Sequence, residues 1–136
     1  MAVPADLDRR VRERAQGRCE YCRLPQAAYA LPFQVDHIIA KQHGGKAQIG
    51  NLGLACPRRD RSKGPNIASV GGRARQLVPL YHPRRDRWAD HFRWRGPRLV
   101  GLTPVGRATI RVLRIDDPDA VALRRALIAE GVFPPP

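Results

Sequence analysis

Acidic residues are scarce in this chain of 136 residues: 12 Asp and Glu stand against 25 Lys and Arg, a formal charge of +13. A field of that sign attracts polyanions. Lysine is scarcer still. Only Lys41, Lys46 and Lys63 are lysines, so arginine carries the charge, and its planar fork can grip phosphate oxygens in pairs. A GC-rich coding bias, or an RNA-binding role, gives the same composition, so charge alone points to a polyanion and no further. Long apolar runs are absent, which excludes a bilayer-spanning helix. The amino terminus carries Asp6, Asp8 and several arginines where a secretory signal needs an apolar segment, so a cytoplasmic protein with no membrane partner is expected. Cysteines number only three, an odd count that argues against a secreted disulfide framework and for reduced thiols or a metal site. No internal repeat occurs, and the only low-complexity stretch is the Pro134 to Pro136 end.

At about 100–200 residues per domain, the length suits one domain spanning residues 1–136. Leu7, Val11 and Ala15 recur at helical spacing from Asp6 to Gln16, and Gly17 is a natural stop. Phe33, Val35, His37 and Ile39 alternate with Gln34, Asp36 and Ile38 as in a strand, with Leu52 to Ala55 as its partner across the Gly44-Gly45 turn. A short basic helix is expected after Pro57. Residues from Gly64 through Arg75 are rich in glycine and arginine and read as a loop, followed by the apolar run Leu77 to Tyr81. Phe92 to Trp94 and Leu99 to Leu102 flank Gly96-Pro97, which suits a hairpin. Thr103-Pro104 and Asp117-Pro118 each place a capping side chain before a proline at the first helical position, the second opening a helix to about Glu130.

Four short stretches carry a resemblance. Asp36-His37-Ile38, His43-Gly44-Gly45, the run NLGLAC from Asn51 to Cys56 and the D-x-x-K-G run from Asp60 to Gly64 stand in the order found in HNH endonucleases, and the chain resembles that family. The carboxy-terminal half is similar to the extension of a bacterial group of HNH proteins. The resemblance implies an α+β fold: a ββα-metal (HNH/His-Me finger) core at 18–68, preceded by a helix at 1–17. A carboxy-terminal extension at 69–136, a hairpin and helices, would pack on that core. The implied activity is hydrolysis of DNA phosphodiester bonds with one divalent cation, leaving 3′-hydroxyl and 5′-phosphate ends.

Phosphodiester hydrolysis needs a deprotonated water, stabilisation of charge on the phosphate and help for the departing oxygen. His37 is the candidate base, since an imidazole with a pKa near ~6.5 takes a proton at neutral pH. Asp36 and Asp60 offer hard oxygens suited to Mg2+ or Mn2+. In an ideal strand Asp36 and His37 face opposite ways, so the resemblance implies a bend if both serve one metal and its water. Relatives more often carry Asn or His where Asp60 stands. A second carboxylate there implies firmer binding of Mg2+ or Mn2+, or else a damaged site. Asn51 corresponds to the residue that bridges backbone groups across the loop and sets the angle of His37; alone it would read as a turn asparagine. Lys63, Arg58 and Arg61 are candidates to touch the nucleic acid, with a solvated helix-end lysine as the plainer account of Lys63.

Many relatives hold the fold with structural Zn2+ between two C-x-x-C knuckles. Cys19 and Cys22 match the first, but Cys56 is followed at the fourth-ligand position by Arg59, which cannot ligate. Cys19, Cys22 and Cys56 are thus candidate zinc ligands completed by His43, His82, His91 or water, and three free thiols in an apolar site are the alternative. In the tail from Leu80 to Arg95, aromatic and arginine side chains could line a nucleic-acid groove, though rings that pack the extension onto the core explain them more simply. Two other functions fit: a catalytically inactive HNH-shaped nucleic-acid-binding module, and an RNA-directed nuclease or binder. Oligomeric state stays open.

Overall fold

The structure, a computed structural model, describes residues 3–71 and 76–135. The chain forms two compact units, Met1–Ile67 with His82–Arg85 and Ala68–Tyr81 with Asp86–Pro136. The break falls between Ile67 and Ala68, and residues 82–85 belong to the first unit. Helices and two-stranded antiparallel sheets make up both, an α+β chain. Among the described residues no helix is long and apolar enough to cross a membrane.

In the first unit, α1 spans Ala5–Arg14, two residues short of the expected end, with Ala15 as its cap and Gly17 at φ 67° turning the chain away. Its acidic residues Asp6 and Asp8 lie in the first turn and Arg12 and Arg14 in the last, which suits the helix dipole. Val11 on its inner face is fully buried. Strand β1 (Gln34–His37) pairs antiparallel with β2 (Leu52–Ala55), Asp36 opposite Gly53 and His37 opposite Leu52. Helix α2 (Pro57–Lys63) follows at once, because Pro57 at its first position has no amide to satisfy and its φ suits the helix. Leu24, Phe33, Leu52 and Leu54 are the large apolar side chains at the centre. Burying each contributes roughly 1.5–3 kcal/mol.

Strand β2 would leave an open edge, and Glu20 closes it. Its amide donates to Leu54 O at 2.9 Å, its carboxylate accepts from Leu54 N at 2.9 Å, and its other oxygen pairs with Arg84 from the returning 82–85 segment. A backbone edge without such partners costs stability and invites pairing with another chain. Arg14 fastens the turn before β2, donating to Ile49 O at 2.9 Å and Leu52 O at 2.5 Å.

The second unit departs from expectation at its start. Ala68–Gly71 is not loop but strand β3, paired antiparallel with β4 (Gln76–Pro79); expected loop residues 72–75 lie outside the described residues. A single helical turn, α3 (Trp88–His91), leads into the hairpin of β5 (Phe92–Arg95) and β6 (Arg98–Gly101). Then come α4 (Pro104–Val112) and α5 (Pro118–Ala129), capped by Thr103 and Asp117 side chains that accept from Gly106 N and Ala120 N. Trp88 packs against both Phe92 and Trp94, and Trp94 against Phe133, with ring centroids 4.9–5.7 Å apart. Fully buried Arg124 lies 5.3 Å from the Trp94 ring and pairs with Asp116 at 2.8 Å. These rings therefore build the interior of their own unit rather than a stacking platform for bases.

Candidate active site

The β1–β2 connection is organised by one side chain. Asn51 accepts from Ile39 N at 2.8 Å through Oδ1, and its Nδ2 donates to Ile39 O at 3.0 Å and Lys46 O at 3.1 Å. Its own carbonyl accepts from Ile38 N at 2.8 Å. Both amide hydrogens are thereby used, so Asn51 serves the backbone and has no donor left for a ligand. The loop must pass close by: a Cβ on Gly45 would lie 1.7 Å from Ile39 O and 2.8 Å from Asn51 Nδ2, so only glycine fits. Gly44, at φ 86°, supplies the left-handed step that ends the short 3-10 turn Lys41–His43.

Immediately before this bracket, β1 presents Asp36 to α2. The Asp36 and Asp60 carboxyls are hydrogen-bonded, and burial together with the Asp36 charge pushes Asp60 up to about 7 from its ordinary 3.8. Lys63 is 2% exposed, and its ammonium donates to Ile38 O at 2.9 Å, next to both carboxyls. Its position three residues after Asp60 on α2 turns it inward. The expected phosphate contact by Lys63 is thus replaced by an internal tie, while Arg61 is exposed and Arg58 half-buried on the same helix.

His37 looks the other way. Successive strand residues point to opposite faces, and His37 lines a cleft of about 300 Å³ with Asp8 and Arg12 of α1 and with Lys41. Its Nε2 is buried and has no hydrogen-bond partner. Asp36, His37 and Asp60 therefore do not converge as three ligands of one ion. Among the described residues, only Cys19, Cys22 and Cys56 form a group of three or more candidate ligands whose atoms all lie within 4.8 Å of one another.

Those three cysteines are fully buried and free, with Cys22 Sγ 3.8 Å from Cys56 Sγ. Hydrogen bonds from Cys19 and Cys22 hold Cys56 well below the usual thiol range, and the Arg59 backbone and charge assist, whereas burial pushes Cys19 up to about 12. Three sulfurs about one thiolate suit three of the four positions of a tetrahedral metal site. His43, His82 and His91 do not join the group. Arg59, fully buried on α2, stands at the fourth-ligand position and brings a positive charge instead of a thiolate. The cluster can hold a metal, but with three protein ligands.

The structural parts of two residues in this region have no signal in the sequence. Glu20, inside the C-x-x-C knuckle, reads as an ordinary surface acid, and only its pairing with β2 reveals its part. Arg59 was marked solely as a missing ligand, and its complete burial has no sequence signal of its own.

The raised Asp60 pKa has a measurable consequence. The folded chain keeps a proton that the unfolded chain loses above its ordinary pKa, so without divalent metal stability falls as pH rises from about 4 to about 7 and then levels off. Asp60→Asn removes the repulsion. Its melting temperature should exceed that of the parent chain at pH 8 by roughly 4–8 °C per kcal/mol relieved, with the advantage gone at pH 4. An equal difference at both pH values would contradict the paired carboxyls.

No curated protein and no solved structure matches the chain. The family profile for HNH endonuclease matches residues 19–64, from the first knuckle cysteine through the end of α2. The match covers about a third of the chain, and over residues 19–64 the chain is similar to an HNH endonuclease domain, a domain of nuclease type.

Proposed function

We propose that the chain is a metal-dependent endonuclease hydrolysing DNA phosphodiester bonds, on a ββα-metal core made of β1, β2 and α2. One observation carries the reading: the carboxyl pair Asp36–Asp60 lies on one face of β1 and the unpartnered Nε2 of His37 on the other. In-line attack on phosphorus brings the water in from the side opposite the leaving oxygen, so a base and a charge-stabilising group are needed on opposed sides. Successive residues of one strand carry the two groups such a reaction needs, and both reach one phosphate if the end of β1 bends toward it, as the sequence implies.

Asp36 and Asp60 would hold Mg2+ or Mn2+, whose bound form stabilises the departing oxygen; hard carboxylate oxygens under mutual repulsion fit such an ion. Lys63 limits that repulsion while staying fixed on Ile38 O. His37 accepts the proton of the attacking water at Nε2. Asn51 is the positioning residue, because its bracket on Ile39 fixes the strand end that carries both. Arg58 and Arg61 on α2 would meet the phosphate backbone. Cys19, Cys22 and Cys56 would hold structural Zn2+, joining the knuckle to the start of α2.

His37→Ala should lower Mg2+- or Mn2+-dependent cleavage of plasmid DNA by about 10²–10⁴-fold, with chelator abolishing the parent activity. Undiminished cleavage by the variant would remove His37 as the base, and matched RNA cleaved faster than DNA would reassign the substrate. For the knuckle, Arg59→Cys supplies the fourth thiolate. The variant should retain one zinc per chain through dialysis against a chelator that strips the parent, as read by elemental analysis; equal zinc in both would show that Arg59 does not limit the site.

A further inference from the structure

A second cleft, of about 480 Å³, opens on the far side of the Asn51 bracket. His43 and Lys46 from the loop and His82 and Arg85 from the returning segment line it, and no carboxylate does. In a domain poor in acids this is still a concentration of one sign: two permanent cations and two imidazoles about one concavity. The floor is backbone. Gly44 and Gly50 line it, and a Cβ built on either meets no atom within 4 Å, so the main chain there is open to close approach. The loop is also pre-shaped, since Asn51 spends its amide on Ile39 and Lys46 and Gly45 N donates to Ala40 O at 3.0 Å. Arg85 is placed by its own amide on His82 O at 3.1 Å. Lys46 and Arg85 are both exposed, so neither charge is sealed from solvent.

We infer that this cleft is a second phosphate subsite, holding a non-scissile phosphodiester of the nucleic acid between Lys46, Arg85 and the glycine floor. It rests on the nuclease reading only in that the ligand is a nucleic acid, and it needs no catalysis. A small tetrahedral anion with oxygens on every side suits a concavity lined by a point-charge ammonium and a forked guanidinium, with the glycine main chain leaving room for its approach. A phosphate carries no base identity, so the subsite would bind without regard to sequence. Asn51 links the two places: the side chain that fixes the end of β1 also shapes the wall of the cleft.

The test is binding of a short DNA duplex by fluorescence anisotropy in chelator, where nothing is cut, over a range of salt concentrations. Lys46→Ala with Arg85→Ala should weaken binding of unrelated sequences equally and reduce the slope of log affinity against log salt by about 1, as expected for one lost phosphate contact. Arg125→Ala, an exposed arginine on α5, should leave the slope unchanged, and Arg85→Lys should retain most of it. If the double variant does not fold, Lys46→Glu at its exposed position carries the same test. A slope unaltered, or altered no more than by Arg125→Ala, overturns the subsite. The nuclease reading fails separately, on absence of divalent-dependent cleavage by the parent chain.

Discussion

The bracket that Asn51 places on Ile39 is the constraint on which the site depends. A strand end normally frays into its loop; here two backbone groups of Ile39 and one of Lys46 are held by one amide, and Ile38 is held by the backbone of the same residue. That fixes the two residues just before it. Asp36 is directed to α2 and His37 to the α1 side, so an imidazole and a pair of carboxyls stand on opposed faces of four residues of strand. The glycine at 45 is part of the same device, since any side chain there would strike Ile39 and Asn51.

Charge management is the second layer. A helix that follows β2 without a loop must bring Asp60 toward Asp36, and two carboxyls so placed cannot both ionise freely near neutral pH. Lys63, buried beside them, offsets part of the repulsion without neutralising the pair. One residue earlier on the same helix, Arg59 is fully buried, and its charge helps hold the Cys56 thiol below its ordinary range. Helix α2 thus carries two internal electrostatic centres of different character, one hard and anionic, one soft and held by a guanidinium.

Much of this was legible in the residues. The alternation from Phe33, the glycine pair, the apolar run at Leu52 and the proline at 57 each have a local physical cause, and β1, β2 and α2 lie where those causes put them. The caps at Thr103 and Asp117 were equally local. What could not be read depends on long-range contact. Ala68–Gly71 looks like loop because its glycine and the glycine and arginines that follow give no alternation, and only pairing with Gln76–Pro79 makes it a strand. Lys63 and Arg59 are polar by composition, and their burial follows from the helix face they occupy rather than from their type. For the aromatic tail packing was the simpler expectation than a groove, and its rings do find one another, because a small unit has few other large apolar groups with which to fill its interior.

The division of β1 into a metal-holding face and a proton-accepting face is tested most directly by binding of Mn2+ to the protein alone at pH 8, followed by its electron paramagnetic resonance signal. One Mn2+ per chain should bind, Asp36→Asn and Asp60→Asn should each weaken it by at least about tenfold, consistent with loss of a hard oxygen ligand, and His37→Ala should leave it unchanged. Loss of the ion in His37→Ala to the same degree as in Asp36→Asn, or binding that survives both carboxylate changes, would contradict the account.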